Sequence, residues 1–270
     1  MTNMMKAYFN TSELEQLLIK NDLHDFEQIW SLDTEWFEAP NYRRNGWSGV
    51  IKYPLVDSTG KTAWVFIKRQ ENHNCKTILH PLTGIPTFRR EFINIQRLLN
   101  KEIPSLAALY YNERKQGGKD QAILITLSLE GYQSFEAFCD NDDNLSLPQR
   151  PEIMALTGAV IRKLHDAHFR HNCLYSKHLF VKESVKDDIH NIDVRLIDLE
   201  KLKWLPLYSQ IRRNDLSRLI RRGEPMTHED LTILLNSYYN SGHSLQSTSL
   251  ASELNTLLNN QERYYKAGNA

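Results

Sequence analysis

The segment Arg170-His171-Asn172-Cys173-Leu174-Tyr175-Ser176-Lys177-His178-Leu179-Phe180-Val181 decides how this chain reads. It opens with polar, ligand-type side chains and runs into an apolar strand. The turn-like run Lys186-Asp187-Asp188-Ile189-His190-Asn191 separates it from Leu196-Ile197-Asp198-Leu199-Glu200, where a lone carboxylate closes a second apolar run. An unpaired buried charge is costly, so Asp198 has to be solvated, capped or metal-bound. This is the pattern of a catalytic loop followed by a metal-holding strand end.

Outward from that stretch, the chain divides by character. Ser12-Glu13-Leu14-Glu15 has the form of a capping box ahead of Leu14, Leu17 and Leu18, which predicts a short N-terminal helix. Asp57-Ser58-Thr59-Gly60-Lys61 separates two strand-like runs, residues 51–56 and 62–68, as a hairpin turn does. Residues 70–86 are polar and turn-rich. Residues 87–99 follow as a helix with Phe88, Phe92, Ile95, Leu98 and Leu99 on one face. Strands are expected at 106–111 and 121–129. Helices are then expected at 134–139 and 153–168, from Asn214, from Thr227 with Thr227-His228-Glu229-Asp230 as its cap, and from Ser252. Strands early and helices late predict an α+β protein of two lobes: an antiparallel-sheet lobe with its helices over 1–131 and a mainly helical lobe over 132–270.

Composition narrows the class. The 270 residues are 41% apolar, enough to fill such cores, and Lys plus Arg (33) balance Asp plus Glu (33). No whole-molecule field would draw the chain to nucleic acid or to an anionic membrane, which leaves only a local patch to do so. Three cysteines, Cys75, Cys139 and Cys173, stand at unrelated spacings, which argues against a disulfide framework and for a reducing compartment. With neither a signal-peptide core nor a stretch approaching a membrane span, the expected location is cytoplasmic.

Four further positions draw attention. Lys68 closes the strand Trp64-Val65-Phe66-Ile67, in the form of a lysine that holds nucleotide phosphates, or as a solvated lysine at a strand end. Glu91 lies early in the following helix, either as that lysine's partner or as an exposed glutamate favoured by the helix dipole. Gly46 and Gly49, in Asn45-Gly46-Trp47-Ser48-Gly49-Val50, read as a turn over phosphates or as a plain hairpin turn.

Together these pieces resemble the lipopolysaccharide kinase family, the kinase-like enzymes acting on Kdo or heptose of the lipopolysaccharide core, and most closely its InaA-type branch. The resemblance rests on Val65-Phe66-Ile67-Lys68, Phe88-Arg89-Arg90-Glu91-Phe92, Leu129-Glu130-Gly131-Tyr132, the 171–180 loop, Leu196-Ile197-Asp198-Leu199-Glu200 and Arg213-Asn214-Asp215-Leu216. It implies a protein-kinase-like fold and an ATP- and magnesium-dependent phosphotransferase acting on a sugar hydroxyl or a related small molecule. It leaves room for peripheral contact with the inner membrane. By the same resemblance Lys68, Glu91, Gly46, Gly49 and Glu130 belong to the nucleotide site, Asp198 and His178 to the metal, and Asp215 bonds back to the catalytic loop.

One position departs from the pattern: active family members carry Asp where this chain has Cys173. A thiol with an ordinary pKa near 8.5 is a poor hydrogen-bond acceptor. Three readings follow: a slow kinase, a kinase whose base is another residue such as His171 or His178, and a nucleotide-binding pseudokinase. Cys173 itself reads as a reactive thiol beside His171 or as a small buried side chain. From other classes, a partner-binding module competes, and the run His165, His168, His171, Cys173, His178 raises zinc without matching a zinc motif.

Overall fold

The computed structural model describes residues 3–4, 7–43, 46–77, 79–186, 189–221, 226–240 and 256. The chain forms two compact units, Met1–Arg97 with Leu106–Glu130, and Leu98–Ser105 with Gly131–Ala270.

The first unit is built on an antiparallel sheet. Its long strands are β1 (Glu38–Arg43), β2 (Gly46–Val56), β3 (Thr62–Glu71), β4 (Ala108–Gln116) and β5 (Lys119–Leu127). They run in the order β4-β5-β3-β2-β1, and the two-residue strands Asn3–Met4 and Tyr8–Phe9 both add to β4. The hairpin expected around Asp57 joins β2 to β3, with the Asp57 carboxylate accepting from the Thr59 and Lys61 N–H groups and Gly60 at φ +83°.

Side chains alternate across β3. Val65 and Ile67 enter a core with Leu18 of α1 (Ser12–Lys20) and Phe26 and Ile29 of α2 (Phe26–Trp30), joined by Ile51, Leu55, Ile123 and Ile125. Lys68 therefore points to the opposite face, where α3 (Thr87–Leu99) lies. The cap of α1 is Thr11 rather than Ser12, with its hydroxyl accepting from Leu14 N–H. Helix α2 was not expected, although Asp25 and Gln28 form a full capping box.

Two polar anchors fix α3. The Gln70 side chain of β3 accepts from Phe88 N–H and the Thr87 hydroxyl at the helix start. Arg89 forms a fork onto Glu113 of β4, whose carboxylate also accepts from Tyr111.

The second unit contains α4 (Phe135–Asp140), α5 (Arg150–Asp166), the hairpin β6 (Leu179–Lys186) and β7 (Ile189–Leu196), α6 (Tyr208–Arg221) and α7 (His228–Asn240). At Gly158 a Cβ would come within 2.2 Å of the Leu234 carbonyl oxygen, so glycine is what lets α5 and α7 approach. Arg150 and Asp230 lock the same helices by a buried two-pronged pair at 2.8 and 2.7 Å. The expected cap at Thr227 is present, its hydroxyl accepting from Asp230 N–H while Asp230 accepts from Thr227 N–H. Helix α6 begins at Tyr208, six residues before the expected Asn214. The helix expected from Ser252 lies outside the described residues but for Thr256.

Candidate active site

In the first unit, Lys68 sits mid-sheet, opposite Val50 of β2 and Leu124 of β5. Its amine donates to the Glu91 carboxylate at 2.6 Å. Glu91 is 4% exposed, so the expectation of an exposed glutamate gives way to a buried partner for the lysine. A cation held this way, on a rigid strand by a carboxylate on a rigid helix, is suited to an anionic ligand such as phosphate.

The two glycines stand differently from a loop over phosphates. Both lie within strand β2, paired with Arg43 and Arg69 respectively. A Cβ on Gly46 would meet the Glu71 carbonyl oxygen at 2.0 Å, and one on Gly49 would meet the Trp36 ring at 2.6 Å. Close packing bears on both: Gly46 is the strand residue that closes the β1–β2 hairpin opposite Arg43, and Gly49 lies inside the strand. Glu130, the last residue of the first unit, accepts from the Ser128 hydroxyl at 2.7 Å and lies 3.6 Å from the Lys52 amine.

The second unit brings the 171–178 loop and the end of β7 together through the backbone. His171 is fully buried, and its Nε2 donates to the Ile197 carbonyl at 2.9 Å. Ile197 N–H in turn donates to the His178 carbonyl at 3.0 Å. Asp215 of α6, also fully buried, accepts from the backbone N–H groups of His171 (2.6 Å) and Asn172 (3.0 Å). Two otherwise orphaned donors are thereby satisfied, which fixes the loop on the helix.

Burial sets the chemistry of the loop. Desolvation pushes the His171 pKa down to about 4, and its Nδ1 has no hydrogen-bond partner among the described residues. With the ring fully buried and its Nε2 donating to the Ile197 carbonyl, His171 positions the backbone before Asp198. Cys173 is 7% exposed, and burial raises its thiol pKa against the opposing pull of Lys201. It is a neutral side chain, and the reactive-thiol expectation does not hold.

His178 and Asp198 do come together. His178 Nδ1 lies 2.8 Å from the Cys173 carbonyl and 3.4 Å from the Asp198 carboxylate. The shorter contact takes the Nδ1 proton, which leaves a lone pair on Nε2. Asp198 adopts the left-handed conformation, φ 56° and ψ 54°, which Asp tolerates better than most residues and which turns its carboxylate back toward His178. One carboxylate and one imidazole suit a magnesium ion that keeps waters and takes its other oxygens from phosphates. Among the described residues no group of three metal-ligand side chains forms, and His165 is bound up with Tyr238 and Asp215.

Two residues were missed from sequence. Asn172, at φ 66°, donates from its side chain to the Lys201 carbonyl at 2.7 Å, tying the loop to the turn after Asp198. Lys201 itself acts on the Cys173 thiol, favouring its ionised form against the effect of burial. An Asn at a left-handed position was the available signal for the first, and nothing in the sequence pattern marks the second.

A strand lysine paired to a helix glutamate, with a separate loop carrying a His and Asp pair, defines a protein-kinase-like protein. Residues 27–238 match the model of the lipopolysaccharide kinase (Kdo/WaaP) family, and the chain belongs to it. Protein InaA of Escherichia coli (strain K12) is similar to it, 26% identical over 221 residues that make up 80% of this chain and 95% of that protein. The solved structure of WaaP in complex with acyl carrier protein matches the fold with a TM-score of 0.65 at 20% identity, over 97% of this chain and 99% of that one. The function carried by the family is phosphoryl transfer to lipopolysaccharide sugars.

Proposed function

We propose that this chain transfers the γ-phosphoryl group of ATP to a hydroxyl of a Kdo, heptose or related sugar, with magnesium as cofactor. The observation that carries the reading is the 2.6 Å pair of Lys68 and Glu91 on rigid elements. Lys68 would hold the nucleotide phosphates with Glu91 setting its position, and Asp198 with His178 would hold the metal. The metal, when bound, neutralises charge on the phosphates.

In the transfer step the acceptor oxygen forms a bond to the γ-phosphorus as the bond to the bridging oxygen breaks and ADP leaves. The transition state is loose, so positioning and charge neutralisation carry most of the rate. Cys173 takes no proton in this scheme, and the hydroxyl proton passes late to a phosphoryl oxygen or to water. The absence of a carboxylate at position 173 costs the chain the share that a general base supplies, about 10²- to 10⁴-fold. Slow transfer is the expected behaviour. Peripheral contact with the inner membrane belongs to the same reading, since a lipopolysaccharide sugar is carried on a lipid. No described helix is long and apolar enough to cross a membrane.

The reading is tested by incubating the protein with ATP labelled in the γ-phosphate and a core oligosaccharide bearing Kdo and heptose. Label appearing in the sugar, and absent with Asp198→Ala, supports it. Equal label with wild type and variant overturns it.

A further inference from the structure

We propose that one end of the first unit's sheet is a membrane-docking surface that seats on anionic lipid. It rests on the proposed function in one respect, that a lipid-borne acceptor brings the enzyme to a membrane.

The surface is built by three connections at the same end of the sheet. The β1–β2 hairpin ends at the Arg43–Gly46 pair, and Trp47 of β2 pairs with Glu71, the last residue of β3. Asn72 then bonds by its backbone N–H to the Asp120 carbonyl and by its side chain to Asp120 N–H, at the β4–β5 turn. Asn74 donates to the Asp120 carboxylate, and the pairing of residues 74–75 with 85–86 closes the loop between them at its base.

Two leucines project from that loop, Leu79 at 86% and Leu82 at 88% exposure, and Tyr42 on β1, at the same end of the sheet, is 77% exposed. A soluble surface has no reason to hold two leucines, three residues apart, almost fully in water. The loop is tied at both ends, so the leucines are presented and not folded back. Exposed cations stand on the same connections: Arg43, Lys76, Lys115 and Lys119. The nearby carboxylates are two, Glu71 held by Lys119 and Gln121, and Asp120 held by Asn74 and Lys115. Among the described residues of these connections, four positive charges against two leave an excess of positive charge at the end of the sheet that carries the apolar tip. Apolar side chains on the same end of the sheet as an excess of Lys and Arg match the boundary between acyl chains and anionic headgroups, whereas the neutral total charge of the chain hides this local excess.

The test is sedimentation of the full chain with vesicles of phosphatidylcholine alone and with phosphatidylglycerol added, none containing lipopolysaccharide. The protein should bind the anionic vesicles about tenfold or more tighter than the neutral ones, with the difference shrinking as salt rises. Leu79→Asp with Leu82→Asp should lower that binding at least about tenfold with an unchanged melting temperature. Arg43→Glu with Lys76→Glu should remove the preference for anionic lipid, and serves if the first variant does not fold. Failure of the wild type to bind anionic vesicles, or equal binding by both variants, overturns the proposal. So does a dimer that the leucine variant breaks with no vesicle binding, which would give the surface to a second copy. ATP-induced stabilisation measured on the same samples separates this outcome from failure of the kinase reading: loss of one leaves the other standing.

Discussion

The Lys68 amine donates to the Glu91 carboxylate at 2.6 Å, and both side chains are largely shielded from water. Removing one partner strands the other's charge, which costs about 3 kcal/mol. Glu91→Ala is therefore expected to lower unfolding stability by about that amount in urea titration. Lys68→Met combined with Glu91→Leu should recover most of the loss while binding no nucleotide. A double variant as unstable as the single one would mean that the pair is not what Glu91 stabilises.

Asp215 accepts from two backbone N–H groups of the 171–178 loop at full burial. Asp215→Ala leaves both unsatisfied, at about 1–3 kcal/mol each. The expected outcome is a loss of about 3 kcal/mol in stability together with loss of transfer activity. Asp215→Asn, which can still accept one bond, should fall between. Full activity in Asp215→Ala would show that the loop holds its shape without α6.

Cys173 is buried, and its thiol pKa is raised by that burial. Alkylation by iodoacetamide at pH 8 should be slow in the folded protein and fast after unfolding. Cys173→Asp restores a carboxylate at the position of the missing base and should raise the transfer rate by about 10² to 10⁴. An unchanged rate would place the limitation elsewhere in the site.

His171 stays neutral when folded, its pKa down at about 4 against an ordinary 6.5. The unfolded chain therefore binds a proton that the folded chain refuses between those values. Its contribution to stability is intact above pH 6.5 and is lost as pH falls toward 4, by about 2 kcal/mol from pH 7 to pH 5. Urea unfolding at the two pH values checks this. His171→Gln should show a drop smaller by that amount, and an identical drop would assign the acid sensitivity to other groups.

What was legible in the sequence was whatever repeats a local rule. The hairpin at Asp57, the helix over 87–99 and the cap at Thr227 each declare themselves through turn residues, apolar spacing or capping chemistry, and the loop at 171–178 through its motif. Helix α6 escaped in part because its buried face carries Asp215 between Ile211 and Leu216, and a charged core position breaks the apolar period. Gly46 and Gly49 suggested a turn because glycine marks both turns and close approach, and only the Trp36 ring and the Glu71 backbone decide which. The burial of His171 and the tautomer of His178 depend on residues far along the chain, Ile197 and Asp198, so no local pattern could carry them.

The central claim of the proposed function is that the chain binds nucleotide through Lys68 and magnesium through Asp198. Calorimetric titration of ATP, with and without magnesium, tests it on the wild type and on Lys68→Ala and Asp198→Ala. The account predicts binding by the wild type that strengthens with magnesium, weakened binding by Lys68→Ala, and loss of the magnesium effect in Asp198→Ala. Binding that is absent in the wild type, or indifferent to the metal and to both substitutions, would contradict it.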